Sequence, residues 1–210
     1  EVGAQWGIAE GTTAFIAWTA KFLDYDNDGA LDLFFTNGHT QDNAVQVESD
    51  WTYAQPMQLY HNDGRGFIQT AGGTPFLSPI VGRGAAIGDY DNDGKQDLLV
   101  VNEEGAAMLL HNQTRNSNHW IGVRLIGVKS NRDGIGARLI LKTSGRTLVR
   151  DESLCGGYLS AGDPRVHFGL GSSRTVQSLT VRWPSGVVDR ILAPPVDRYV
   201  TVEEGRASWR

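Results

Sequence analysis

An acidic loop occurs twice in this chain, and it constrains the fold more than any other feature. "DYDNDGALDLFF" begins at Asp24 and "DYDNDGKQDLLV" at Asp89, 65 residues later. Numbered from its first residue, each loop has aspartates at positions 1, 3, 5 and 9 and glycine at position 6. These are Asp24, Asp26, Asp28 and Asp32 with Gly29, and Asp89, Asp91, Asp93 and Asp97 with Gly94. Carboxylates packed this closely repel unless a cation offsets them. Alternate carboxylates around a tight turn can converge on one point, and glycine permits the positive φ that tightens such a turn. Ca²⁺ takes six to eight oxygens at about 2.3–2.6 Å in flexible geometry. The four aspartates plus a backbone carbonyl at position 7, from Ala30 or Lys95, would supply most of that shell.

Competing ions and motifs fit less well. Mg²⁺ demands a stricter octahedron and keeps several waters. The loops contain no His or Cys, which disfavours Zn²⁺. An EF-hand needs a bidentate Glu at position 12 between two helices. Position 12 is Phe35 in one copy and Val100 in the other, and both flanks are strand-like. A solvated acidic turn without an ion is the plain alternative; two near-identical nine-residue matches argue against it. The four aspartates of each loop carry a formal −4, and two Ca²⁺ would move the chain from −5 to about −1. Metal binding is then expected to be linked to folding.

A second echo, "LYHNDG" from Leu59 and "LLHNQT" from Leu109, is spaced by 50 residues. The shorter spacing predicts an insertion in the first copy, within "GHTQDNAVQVESDWTYAQPMQ". Short β-type runs punctuated by Gly, Asn and Asp surround the loops, and no long amphipathic helix is evident. A unit of several short strands in about 50–65 residues is the size of a propeller blade. After Asn116 the acidic loop does not return. "HWIGVRLIG", "GARLILKT", "RVHFGLG", "SLTVRWP" and "RYVTVEE" read as further strands. "TVQSLTVRW" alternates polar and apolar residues, as a half-buried strand should. The expected architecture is all-β: about two blades from the C-terminal part of a propeller over 1–116, a β-sandwich-like domain over 117–205, and a tail over 206–210.

No apolar run approaches the roughly 20 residues of a membrane helix, and no secretory signal is visible. The chain starts at Glu1 rather than Met, consistent with removal of an upstream segment. Its net charge of −5 argues against a nucleic-acid partner. The lone Cys155 cannot form an intrachain disulfide and is expected to be a small buried hydrophobe. His61 and His111 occupy matching repeat positions, which predicts a shared strand-packing role. His39, near the insertion, is expected to face solvent, and His119 and His167 to be satisfied structural residues. Asp133, with Arg132 and Arg138 nearby, is expected to form a turn and ion pairs. Trp51, Trp120 and Trp183 could form a sugar platform, although core packing is the commoner use of tryptophan. Asn112-Gln113-Thr114 is a glycosylation sequon in the polar junction "HNQTRNSN".

The "DYDNDGxxDL" loops with "LYHNDGRGF" resemble the FG-GAP/VCBS repeats of integrin-α-type propellers. "NRDGIGARL", "YLSAGDPRVHFGLG" and "LTVRWPSG" resemble the ASPIC/UnbV domain. Together, in this order, they resemble the cartilage acidic protein family. The resemblance implies Ca²⁺ at the loop aspartates, an extracellular or cell-surface setting, a role in adhesion or recognition, and no enzymatic activity. A closed propeller has four to eight blades. Two blades therefore predict partners: other blades of a longer chain, or neighbouring subunits that complete an oligomer or filament. An extracellular protein or glycan is the further ligand class expected.

Overall fold

A computed structural model of the chain describes residues 2–210. Among them strands dominate, and the helices α1 (Ala9–Thr12), α2 (Ala44–Val47) and α3 (Thr74–Leu77) are single turns. The first sheet is an antiparallel meander of β1 (Ala17–Leu23), β2 (Asp32–Asn37), β3 (Gln58–Asn62) and β4 (Phe67–Thr70). The second repeats the pattern with β5 (Gly82–Gly88), β6 (Asp97–Asn102) and β7 (Met108–Leu110), and stops at three strands. The acidic loops are the β1–β2 and β5–β6 turns, so each repeat is one blade opening on its loop. The β2–β3 connection covers residues 38–57, whereas β6–β7 covers only 103–107, and this places the insertion where the unequal spacing predicts it.

Strand alternation decides how the blades stack. Leu23, Phe34 and Leu59 of the first blade, with Met57 just ahead of β3, pack against Ala85, Ile87, Leu98 and Val100 of the second. Leu33, Phe35 and Tyr60 point the other way and are covered by Ile8 and Phe67. By the repeat spacings, Leu99 is the counterpart of Phe34 and Leu109 of Leu59. Phe34 is 0% exposed, whereas Leu99 is 47% exposed. Val101 and Leu109 are exposed beside it. The face that joins blade one to blade two is therefore bare on blade two, and among the described residues no sheet closes on itself.

The remaining strands are β8 (His119–Ile126), β9 (Arg138–Lys142), β10 (Thr147–Asp151), β11 (Arg165–Gly171), β12 (Ser178–Arg182), β13 (Val188–Leu192) and β14 (Arg198–Glu203). They form two sheets, β10-β9-β12-β13 and β11-β8-β14, with β14 parallel to β8. Between the sheets lies one core that includes Ile121, Val123, Phe168, Leu139, Leu179 and Val200. Buried Trp183 donates its indole N–H to Asp189 Oδ2 at 2.7 Å. Residues 206–210 turn back along β14, where Thr201 and Arg210 exchange backbone hydrogen bonds.

The "NRDGIGARL" segment is a structural turn. Asn131 brackets it by bonding both backbone groups of Ile135. Gly134 sits at φ 69°, where a Cβ would meet Leu125 and Trp183. Arg138 pairs with Asp151 across the β9–β10 ladder and not with Asp133, because Arg138 and Asp151 are direct cross-strand neighbours.

Candidate cation-binding loops

Both loops take the same backbone path. Asn27 and Asn92 each have φ 61°, and Gly29 and Gly94 have φ 92° and 86°. Asn tolerates the left-handed region better than most residues. The carboxylates then fold the loop over themselves. Asp24 Oδ2 accepts from Gly29 N at 2.9 Å, Asp26 Oδ1 from Asp28 N at 3.2 Å, and Asp28 Oδ1 from Ala30 N at 2.6 Å. The second loop repeats this with Asp89 to Gly94 N at 2.8 Å, Asp91 to Asp93 N at 3.3 Å, and Asp93 to Lys95 N at 2.8 Å. Asp32 Oδ2 and Asp97 Oδ2 accept from Tyr25 N and Tyr90 N, each at 3.2 Å. Oxygens of Asp24, Asp26 and Asp28 lie within 4.8 Å of one another, as do those of Asp89, Asp91 and Asp93.

His61 and His111 share a packing role, edge-on against Tyr25 and Tyr90, and each also reaches a loop carboxylate. His61 Nδ1 lies 3.1 Å from Asp32 Oδ1 and 3.7 Å from Asp26 Oδ2. His111 Nδ1 lies 3.4 Å from Asp97 Oδ1 and 3.8 Å from Asp91 Oδ2. The third strand of each blade runs beside the second, whose first residue is the position-9 aspartate. That register brings the imidazole over the loop. The shared "HN" of the second echo was the available signal.

Electrostatics separates the two loops. Asp24 is 1% exposed, and its Oδ1 has no hydrogen-bond partner. Burial first, then the neighbouring Asp28, push its carboxyl up to about 7, with Arg150 opposing. Burial likewise pushes Asp32 up to about 6 despite N–H donors from Asn62 and Tyr25. A buried acceptor left unmatched costs about 1–3 kcal/mol. A hard, oxygen-seeking dication suits that atom and the carboxylates around it. In the second loop Asp89 Oδ1 accepts from Asp93 N at 3.1 Å, and Oδ2 accepts from Gly94 N and the Tyr199 hydroxyl at 2.5 Å. Lys95 Nζ lies 2.6 Å from Asp93 Oδ2. Burial raises the Asp93 carboxyl, but the Lys95 ammonium and N–H outweigh it and hold the group low.

The C-terminal domain sits on these loops, a contact that sequence reasoning missed. In the sheet β11-β8-β14, Val166, Phe168, Ile121, Val123 and Val200 face the sandwich core. The alternate residues face the loops. His167 Nε2 pairs with Asn27 Oδ1 at 2.7 Å. Arg165 donates to Asp89 O at 2.7 Å and Asn92 Oδ1 at 2.5 Å. Gly169 lies so close that a Cβ there would fall 2.2 Å from Asp24 Oδ2. Trp120 covers Gly94, where a Cβ would fall 1.9 Å from its ring. Arg146 and Arg150 donate to the carbonyls of Asp28 at 2.6 Å and Gly29 at 3.3 Å. Asn116 and Asn118 donate to Asp26 O at 2.5 and 2.9 Å, so the polar junction is a clamp rather than a loose linker. Asn27 Nδ2 also donates to Gly94 O at 2.9 Å and ties loop to loop. The alternation in "RVHFGLG", with Arg, His and Gly between apolar residues, was the available signal.

Two other expectations change, for His39 and Cys155, and two open readings narrow. Trp120 and Trp183 are buried in the domain interface and the sandwich core, which removes them as a sugar platform; of the three, Trp51 is exposed. His39 is buried, packed at a tilt against Trp51 and accepting from Gln41 N at 3.0 Å, because the insertion folds back over it. Cys155 is exposed, since it lies in the connection before β11 and outside either core. Asn112 Nδ2, the atom a glycan would occupy, donates to Tyr25 O at 2.7 Å and Gln96 O at 3.1 Å.

Blades that open on "DxDxDG" loops, followed by a two-sheet domain seated on those loops, define a chain of FG-GAP-like repeats joined to an ASPIC/UnbV domain. Residues 24–100 match the family model for the FG-GAP-like repeat, and residues 127–208 match that for ASPIC and UnbV. The chain is also similar to cartilage acidic protein 1 of several vertebrates. It is 33% identical over 186 residues to cartilage acidic protein 1 of Mus musculus, covering 83% of this chain and 27% of that protein. The Homo sapiens protein of that name is 33% identical over 179 residues, covering 80% and 25%. The Xenopus tropicalis protein is 31% identical over 180 residues, covering 81% and 26%. The chain thus spans about a quarter of the length of these curated relatives. Among the described residues, no helix is long and apolar enough to cross a membrane.

Proposed function

We propose that the chain is a Ca²⁺-stabilised extracellular interaction module that acts by binding rather than catalysis. The observation that carries this reading is the buried, unpartnered Oδ1 of Asp24 within a ring of carboxylates. Asp24, Asp26, Asp28, the Ala30 carbonyl and Asp32 would hold one ion. Asp89, Asp91, Asp93, the Lys95 carbonyl and Asp97 would hold the other. Bound Ca²⁺ would supply positive charge and a cross-link; the residues supply the turn and the surface above it. Because the C-terminal domain grips the same loops, the ions would also hold that domain against the blades. The extracellular setting rests on similarity to cartilage acidic protein 1 and on Ca²⁺ being abundant outside cells.

The bare face of Leu99, Val101 and Leu109 supports a further blade of the same kind as the partner. Its counterparts on the first blade already bury themselves against a blade. A thermal melt tests the calcium reading. EDTA should lower the melting temperature, and Ca²⁺ should restore it more strongly than Mg²⁺. Unchanged melting and Ca²⁺ binding in the double variant Asp26→Ala, Asp91→Ala would contradict it.

A further inference from the structure

We infer that the two loops take the same cation with unequal affinity, tightly at Asp24 and weakly at Asp89, and that Lys95 sets the difference. This ranking rests on the calcium reading above. The loops share their aspartates, their asparagine and their glycine, so the cause must lie in what else meets those oxygens. In the first loop Asp24 keeps Oδ1 free in a buried position. In the second, protein donors already engage both oxygens of Asp89, and a cation must share or displace them.

Position 7 adds a charge. It is Ala30 in the first loop and Lys95 in the second. The Lys95 ammonium lies 2.6 Å from Asp93 Oδ2, inside the set of oxygens a cation would use. Other cations do not reproduce this contact. Arg146 and Arg150 face the first loop but bond the carbonyls of Asp28 and Gly29; Arg150 acts on Asp24 through its charge alone, without an ion-pair contact to a loop carboxylate. Arg165 faces the second loop, yet its ion pair is with Asp163. His61 and His111 occupy equivalent places and cancel in the comparison. Exposure acts in the same direction: Asp24 and Asp89 are buried alike, but Asp91, Asn92 and Asp93 are open to solvent that screens their charge, whereas Asp26 and Asp28 are half-buried and Asn27 is buried.

Calcium titration calorimetry on the full chain, first stripped with chelator, tests the ranking. Two steps should appear, separated by about tenfold or more in Kd. Lys95→Ala, a change at the protein surface, should tighten the weaker step about five- to tenfold and leave the tighter one unmoved. Ala30→Lys should weaken the tighter step. Indistinguishable affinities in the parent chain, or a weak step that ignores Lys95→Ala, would overturn the ranking while leaving the calcium reading intact. No Ca²⁺ binding at all would overturn the calcium reading, and the ranking with it.

Discussion

In the first loop the position-1 aspartate keeps one buried oxygen without a donor; in the second the corresponding aspartate accepts from Asp93 N, Gly94 N and the Tyr199 hydroxyl. The backbones are the same, as the paired φ values of Asn27 and Asn92 and of Gly29 and Gly94 record. Part of the difference lies within the loops, where Asp93 N reaches Asp89 Oδ1 but Asp28 N bonds Asp26 instead of Asp24, and part lies outside them. β14 places Tyr199 against Asp89, whereas β11 places Gly169 against Asp24, and glycine has no side chain with which to donate. Identical ligand patterns can therefore differ in how strongly they need a cation, through the loop's own donors and Lys95 together with the neighbouring domain. Glu204 shows the opposite extreme. Its Oε2 accepts from Val128 N, Lys129 N and Ser130 N at 2.6–2.7 Å, and its Oε1 accepts from Ser130 and Ser185 hydroxyls. That carboxylate is satisfied wholly by the protein.

The largest expected effect is steric. Gly94→Ala would drive a Cβ into Trp120 at a backbone φ of 86°. It should cost about 3 kcal/mol or more in urea denaturation, combining overpacking with left-handed strain. Gly29→Ala meets only Gly169 O and the flexible Arg146 guanidinium, each at 3.0 Å, and should cost about 1–2 kcal/mol. Equal costs would mean that the domain does not sit more tightly on the second loop at this glycine.

A smaller effect concerns pH. Burial raises the Glu204 carboxyl, but hydrogen bonds from Ser130, Ser185, Val128 and Lys129 outweigh it and hold the group at about 2. A depressed carboxylate contributes stability that is fully present above the ordinary value of 4.5 and is lost as pH falls towards 2. Glu204→Gln should therefore lower the melting temperature at pH 7, with the gap to the parent chain closing between pH 4.5 and 2. A gap that stays constant with pH would remove the contrast drawn between Glu204 and Asp24.

Much of this arrangement was legible in the sequence because it is periodic or repeated. The doubled loop located both blades, the two echoes located the insertion, and alternation in "TVQSLTVRW" marked β12. The convergence of the aspartates follows from their spacing and the glycine. What could not be read is what crosses between domains. Arg146, Arg150, Asn116 and Asn118 bond backbone carbonyls, and such contacts impose no pattern on the residues that make them. Cys155 was misplaced because a preference for burial says nothing about a single loop position. The carboxylate contacts of His61 and His111 were not foreseen because a matching repeat position reveals a shared role without naming it. The change from Ala30 to Lys95 was visible from the start, but its meaning depended on knowing where the ammonium reaches.

One pair of variants tests most directly whether a cation completes the first loop while the protein completes the second. Asp24→Asn and Asp89→Asn should be melted in EDTA and again in excess Ca²⁺. In EDTA, Asp24→Asn removes a buried charge whose Oδ1 has no donor and which neighbouring carboxylates repel, and should raise the melting temperature by about 2–6 °C. Asp89→Asn weakens acceptors that are already matched and should lower it. In excess Ca²⁺ both should melt below the parent chain. If Asp24→Asn lowers the melting temperature in EDTA as Asp89→Asn does, the two loops are satisfied alike and the account is wrong.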